Sequence, residues 1–361
     1  MSGRNIEKPG VRVSLAIVVG ALVATVLGVL TFGAQATVAP DGVPLAVAAP
    51  TEGPSASALR PIAQRVSSHG GEQISWHNVG PGEARAMLDD KEVYGILELA
   101  PAGGAQPGLA PKVVVSGAIN PSGTQVAQQA LTGAAGGVAE AASAQGVRVS
   151  QPRVETVRPA SFAGRSAPLA VSALSWIGCL AAGAVFTVLA IRSGRFAGPG
   201  SRLMLMLGTS VLITGVSAGF LKWWDPELPL GADVLGFLLL IAGGFAAVQG
   251  ALLRLLGLRG LAILGPLYLM APTVSAQVPE LLNPGYRAAL WSWTPFRFST
   301  EGLRSLLHGT PGAPDVGLAL WVLGGMLATG LIVILWPGRR RSTTQEAESN
   351  STDRVVPVGV D

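Results

Sequence analysis

Apolar residues gather in this chain into long uninterrupted runs, and one extended stretch rich in Pro, Gly, Gln and Ser separates the first run from the rest. The first, Val13 to Phe32, follows Arg4, Lys8 and Arg12 and is long enough to cross about 30 Å of hydrocarbon. Further runs cover Ala167 to Ile191, Leu203 to Leu221, Val234 to Leu253, Leu261 to Val278 and Val316 to Trp336. They predict six transmembrane helices, the fifth kinked at Pro266 and Pro272. Ala34-Gln35-Ala36 has the small-residue pattern of a signal-peptidase site, so residues 1–36 read either as a retained helix or as a cleaved signal peptide. The length of the run favours the retained anchor, and in both cases the next segment is exported.

That segment, residues 38–165, contains no run able to span and alternates strand-like with helix-like stretches. Strands are expected at Val43 to Ala49, Gln73 to Val79, Val93 to Leu99, Val113 to Ile119 and Val147 to Val157. Helices are expected at Ser55 to Ser68, Pro81 to Asp90 and Ser122 to Gln145, the last weakened by Gly133, Gly136 and Gly137. The fold class is therefore an α-helical polytopic membrane protein with six transmembrane helices and an extracytoplasmic α+β domain inserted between helices 1 and 2. Its parts are a cytoplasmic N-terminus with helix 1 (1–37), the α+β domain (38–165), a five-helix transmembrane domain (166–337) and a disordered cytoplasmic tail (338–361).

Between the last two runs lies Leu290 to Gly309, too short an amphipathic element to cross a bilayer. Pro295 breaks the backbone, Ser299 or Thr300 is expected to cap the helix, and Gly309 with Pro311 to stop it. Leu303, Leu306 and Leu307 form one face, Glu301 and Arg304 can pair at a spacing of three, and the element is expected to be re-entrant or to lie along an interface near 295–308. An ordinary loop helix tucked under its neighbours is the competing reading.

Of 361 residues 49% are hydrophobic and 13% charged, the balance of a membrane protein diluted by a polar portion. The formal charge of +4 comes from arginines at the ends of apolar runs, a topology signal and not a nucleic-acid surface. With both termini cytoplasmic, Arg4, Lys8, Arg12, Arg192, Arg195, Arg202, Arg254, Arg259 and Arg339 to Arg341 all fall inside, as the positive-inside rule requires. Arg287, Arg297 and Arg304 fall outside. They are expected to bind lipid headgroups or acidic groups of the insert, or to pair with Glu280 and Glu301, which makes Pro295, Arg297, Glu301 and Arg304 the candidate substrate or lipid interface.

A P-loop needs Lys followed by Ser or Thr, whereas Lys8, Lys91, Lys112 and Lys222 precede Pro, Glu, Val and Trp, so any ATPase activity would reside in a partner. His69, His77 and His308 lack metal-type spacing, and Cys179 is the only cysteine, so neither a metal, a cofactor nor a disulfide is expected. Gly215-Val216-Ser217-Ala218-Gly219 matches the serine-hydrolase pattern but sits inside a span, so Gly215 and Gly219 read better as a close helix-packing pair. Apart from Gln249 and Gln277 the spans carry no polar group suited to an ion pathway.

Trp293-Thr294-Pro295 with Ser299-Thr300-Glu301-Gly302-Leu303-Arg304 before the last span resembles the permease subunits of the ABC-2 transporter superfamily. Pro44-Leu45-Ala46-Val47-Ala48 and the unit from Gly82-Glu83-Ala84-Arg85-Ala86-Met87-Leu88 to Glu92-Val93-Tyr94-Gly95-Ile96-Leu97-Glu98-Leu99 are similar to the insert of its phage-infection-protein-like branch. The resemblance implies a plasma-membrane exporter of a hydrophobic or lipid-like substrate, a second permease protomer in a homo- or heterodimer, and a cytoplasmic ATP-binding subunit. The chain departs from the pattern in the candidate coupling loop, Arg192, Arg195 and Arg202, which is short and glycine-rich. That departure keeps an alternative open, a non-transporting envelope interaction or secretion-accessory protein acting through its exported domain.

Overall fold

The computed structural model describes residues 9–53, 55–68, 70–102, 108–194 and 198–337. Expectations that rest on Arg4, Lys8, His69, Arg195, Arg339 to Arg341 or the polar tail lie outside the described residues. The described chain is mostly helical, with five helical stretches long and apolar enough to cross a membrane, plus one small sheet.

The first stretch is α1, Pro9–Gly28, which runs through a π-helical turn at Val29–Gly33 into α2, Ala34–Ala36. Most of the described side chains of α1 are exposed, Ile17 to 65% and Leu22 to 61%, as side chains meant for hydrocarbon would be. Its far end is docked. The Tyr286 hydroxyl donates to the Val29 carbonyl at 2.7 Å, and Ala34 packs with Val274, Leu282 and Leu290.

The insert follows as β1 (Val43–Ala48), α3 (Ala56–Ser67), β2 (Ile74–Val79), α4 (Pro81–Asp89), β3 (Gly95–Pro101), β4 (Gly108–Ser116), α5 (Pro121–Ala144), β5 (Arg148–Val149) and β6 (Arg153–Val157). Proline at the first helical position opens α4 and α5, where its missing N–H is no loss. The strand order is β2-β1-β3-β4-β5, with β6 also on β4. β1 runs parallel to β2 and β3, while β3 and β4 pair antiparallel with Ile96 opposite Val114. Residues alternate between the two faces. Gly95 looks onto Leu131 and Ala127 of α5, and Glu98, on the opposite face, receives Arg85 of α4 at 2.6 Å. Lys112 and Glu155 extend that pair into a four-membered network across α4, β3, β4 and β6.

The apolar core of the insert is built from the sheet and its helices, but it also takes in Val278 and Leu281 from far along the chain. The insert is thus packed against the bundle and not hung from it.

The bundle comprises α6 (Phe162–Arg192), α7 (Pro199–Trp224), α8 (Ala232–Leu256), α9 (Leu261–Ser275), α10 (Pro284–Tyr286), α11 (Pro295–Leu307) and α12 (Val316–Leu335). At its centre is α8, whose Ile241, Ala242, Phe245 and Ala247 are all 0% exposed. Glycine lets α12 come close to it: a Cβ on Gly330 would lie 2.5 Å from the Ala247 carbonyl carbon, and one on Gly244 3.1 Å from the Leu323 oxygen. Trp176 of α6, Phe245 of α8 and Phe296 of α11 meet with ring centroids 5.0 to 5.6 Å apart. Arg254 donates to the carbonyls of Val333, Ile334 and Trp336, satisfying the open end of α12.

The fifth expected span differs from expectation. Gly257, with φ of 59°, and a 3-10 turn at Gly257–Gly260 reverse the chain so that Gly260 sits against Leu252. The returning helix, α9, is only 15 residues long and is continuous with α8 in the apolar stretch Ala232–Ser275. Pro266 and Pro272 both lie inside α9.

Candidate functional site

Pro295 occupies the first turn of α11, preceded by Thr294 in an extended conformation, so the helix takes up nearly the expected 295–308 and starts ahead of the expected caps. Ser299 and Thr300 are therefore inside it and cannot cap it. The Ser299 hydroxyl donates to Ser172 of α6 at 2.9 Å instead. The helix ends as expected at Gly309, φ 58°, through a Schellman closure: Gly309 N–H to the Leu306 carbonyl at 3.3 Å and Thr310 N–H to Ser305 at 3.1 Å.

An exposed amphipathic helix would show one wet face, but α11 has almost none. Phe296, Ser299, Thr300 and Leu303 are each 0% exposed, and Arg304 only 2%. The helix fills the space between α6, α8, α9, α12 and the insert. Carrying charge into such a place is expensive unless every charge is paired.

Pairing is what the surroundings supply. Arg304 Nε faces Glu301 Oε2 at 3.3 Å, the expected spacing-of-three pair, and its Nη1 donates to the Arg165 carbonyl at 3.0 Å. From the insert, Asn120 Nδ2 donates to Glu301 Oε1 at 3.1 Å, and Lys91 Nζ lies 3.7 Å from Oε2. Lys91 also reaches Asp315, at the start of α12, at 2.9 Å. Burial alone would raise the pKa of Glu301, but the Arg304 and Lys91 charges and the Asn120 hydrogen bond outweigh it and hold the carboxyl below the usual range.

Nearby, Tyr94 donates to Glu280 at 2.7 Å, and burial, reinforced by that carboxylate, raises the pKa of its hydroxyl far above the ordinary value. Arg158 bridges Asp89 at 2.7 Å and the Gly309 carbonyl at 3.0 Å. Lys91, Arg158 and Asp315 have φ of 61°, 46° and 74°, left-handed conformations costing about 1–3 kcal/mol each in non-glycine residues. The strained backbone of the described chain is thus concentrated where insert and bundle meet.

Lys91, Glu301 and Asp315 line an open hollow of about 150 Å³, together with Tyr94, Asn120, Gln277 and Trp291 among others. Arg297 stands at its wall with the guanidinium 3.5 Å from the Trp291 ring centroid. Burial lowers the pKa of Arg297, and the nearby Asp315 and Glu301 oppose that shift. The structure gathers Pro295, Arg297, Glu301 and Arg304 in one helix, where Arg297 and Glu301 retain partial exposure and Arg304 is spent on protein partners. Of the roles expected for Arg304, the ion pair with Glu301 is the one the geometry realises.

Other expected positions lie elsewhere. Gly215 and Gly219 are in α7, where an added Cβ would meet nothing within 4 Å, so that pair packs against no element of the described chain. Arg192 ends α6 and Arg202 begins α7, with its guanidinium 6.0 Å from the Phe186 ring. Lys91, Asn120 and Asp315 carry no sequence signal for their role, being brought together only by the fold. Comparison of the chain with protein-family models, curated proteins and solved structures gives no match.

Two outcomes follow from these charges. Replacing Arg304 by Met strands Glu301 beside Lys91 alone and is expected to lower stability by on the order of 3 kcal/mol. The double change with Glu301→Gln should recover most of that loss in detergent unfolding curves, and equal loss in both variants would refute the pairing. His308 ends α11, and burial, followed by the Arg304 charge, depresses its pKa from 6.5 to about 4. Lys91 also opposes its protonation, while the Gly164 carbonyl and Asp225 favour it. The unfolded chain binds this proton at higher pH than the folded one, so stability falls as pH drops from 6.5 toward about 4. His308→Asn should flatten the melting temperature over that window and leave it unchanged at neutral pH.

Proposed function

We propose that this chain is the membrane permease subunit of an ABC-2 type exporter, moving a hydrophobic or lipid-like molecule across the plasma membrane while a separate subunit hydrolyses ATP. The observation that carries this reading is α11: a short proline-led helix buried before the last apolar helix and tied by Glu301 to Lys91 and Asn120 of the insert. Such a joint lets a rearrangement among the membrane helices reach the exported domain, because a rigid ion-paired contact transmits displacement. In this reading α9 is the fifth of six spans and returns the chain to the outer side. Both termini are cytoplasmic, the insert is extracytoplasmic, and a second permease protomer completes the transporter.

A tagged chain purified from its own host is expected to bring down an ATP-binding subunit and a second permease protomer. Absence of any nucleotide-binding partner would sink the energised form of the proposal. A second reading, an envelope interaction protein acting through its insert, is favoured by the turn between α6 and α7. α6 ends at Arg192 and α7 begins at Pro199, a separation shorter than a coupling helix needs. It would be supported if the same purification yielded an exported partner and no ATPase.

The orientation has its own measurement. In a Cys179→Ser background, Glu140→Cys on the insert should react with a membrane-impermeant maleimide on intact cells, and Ser201→Cys at the start of α7 only after permeabilisation. The reverse pattern would overturn the topology.

A further inference from the structure

Between α3 and α5, on the face of the sheet opposite α4, lies a hollow of about 790 Å³ that no described residue fills. We propose that it holds the tail of a single-chain amphiphile with an acidic head, a fatty-acid-like molecule taken from the adjacent bilayer, whose carboxylate sits at Arg65. The volume falls within the roughly 300–1,000 Å³ of pockets that enclose small ligands. Its walls are hydrocarbon, including Leu59, Ile62, Trp76, Leu109 and Val138. Burying a flexible apolar chain there removes from water both the ligand and the lining, the driving force such a surface supplies.

The helix α5 is shaped for the purpose. Gly133 and Gly137 face the hollow, and an added Cβ at either would meet nothing within 4 Å, so close packing within this chain does not demand glycine there. Glycine inside a helix is unfavourable relative to alanine, yet α5 runs unbroken for 24 residues. The small residues act by leaving space.

Charge selects the head group. Among the described residues lining the hollow Arg65 is the one that carries charge, and it is exposed in the last turn of α3. A carboxylate at the mouth would meet a complementary guanidinium while its tail lay against the apolar walls. Five apolar helical stretches put the chain in a bilayer, the reservoir from which single-chain acids partition.

The inference goes beyond the transport reading, since occupancy needs neither ATP nor a partner subunit. The full chain in phosphatidylcholine nanodiscs preloaded with a diazirine-bearing palmitic acid is photolysed, and the labelled peptides are mapped by mass spectrometry. Peptides of α3 and α5 are expected to be labelled in addition to those of the membrane-facing helices. Gly133→Leu, which fills the hollow, should reduce the α3 and α5 labelling by about tenfold, the loss of roughly one apolar subsite, while labelling of α7 and α12 stays constant. Gly137→Val serves if the first variant loses its cooperative thermal transition. Arg65→Gln should weaken labelling by the acid and not by the corresponding alcohol. An unlabelled insert, or labelling indifferent to both filling variants, would overturn the proposal, and equal labelling by acid and alcohol would overturn the acidic head. Labelling that appears only when residues 103–107 are deleted would assign the hollow to that segment of the chain. A failed search for an ATP-binding partner removes the transport reading and leaves this result standing.

Discussion

A carboxylate taken out of water must find opposite charge and hydrogen bonds, and at Glu301 the partners come from several separate parts of the chain. Arg304 is its neighbour on α11, Lys91 and Asn120 arrive from the insert, and Lys91 continues to Asp315 at the start of α12. Arg304 in turn is held by the Arg165 carbonyl of α6. Satisfying one buried charge therefore fixes the insert, α6, α11 and α12 relative to one another. The left-handed conformations of Lys91 and Asp315 show that backbone strain is accepted at this contact to make it.

Around that joint the packing is of two kinds. Inside the bundle it is close and apolar: α12 lies on α8 where glycines 244 and 330 allow, and three aromatic rings lock α6, α8 and α11. Between α3 and α5 of the insert it is loose, with small residues leaving a hollow. A single chain thus places its rigid contacts at the junction and its open space on the far side of the sheet from α4.

Most element boundaries were readable from local chemistry. Pro81 opens α4 and the apolar strand Val43–Ala48 lies where expected, whereas α7 begins at Pro199, ahead of the apolar run from Leu203, because the proline starts the helix before its apolar part. The range of α11 is legible from Pro295, while Ser299 and Thr300 look like caps in the sequence and lie inside the helix. Its burial was illegible, since a helix half polar in sequence reads as a surface helix until Ser172, Arg165 and Lys91 arrive from elsewhere. The fifth span was overestimated because apolar composition continues past the end of the helix at Ser275 into a segment that joins the insert's core. Gly215 and Gly219 have the spacing of a close helix contact, but spacing does not say which face of α7 meets a neighbour, and the described chain puts none against them. Of the candidate site, Glu301 with Arg304 could be seen, while Lys91, Asn120 and Tyr94 could not.

The presence of Val278 and Leu281 in the insert's core has a consequence for biogenesis. Ribosomes deliver residue 157, the end of the last strand, long before residue 278, and α6, α7, α8 and α9 must be synthesised in between. The strands of the insert are therefore complete while part of their core has yet to be made. Until the segment after α9 has been added, apolar surface of the insert stays uncovered, a state open to aggregation and to chaperones. Completion of the insert's core in this way reports that the helices between residues 157 and 278 have been made and placed, and a chain that stops short of them would be recognisable to quality control by its unfinished core.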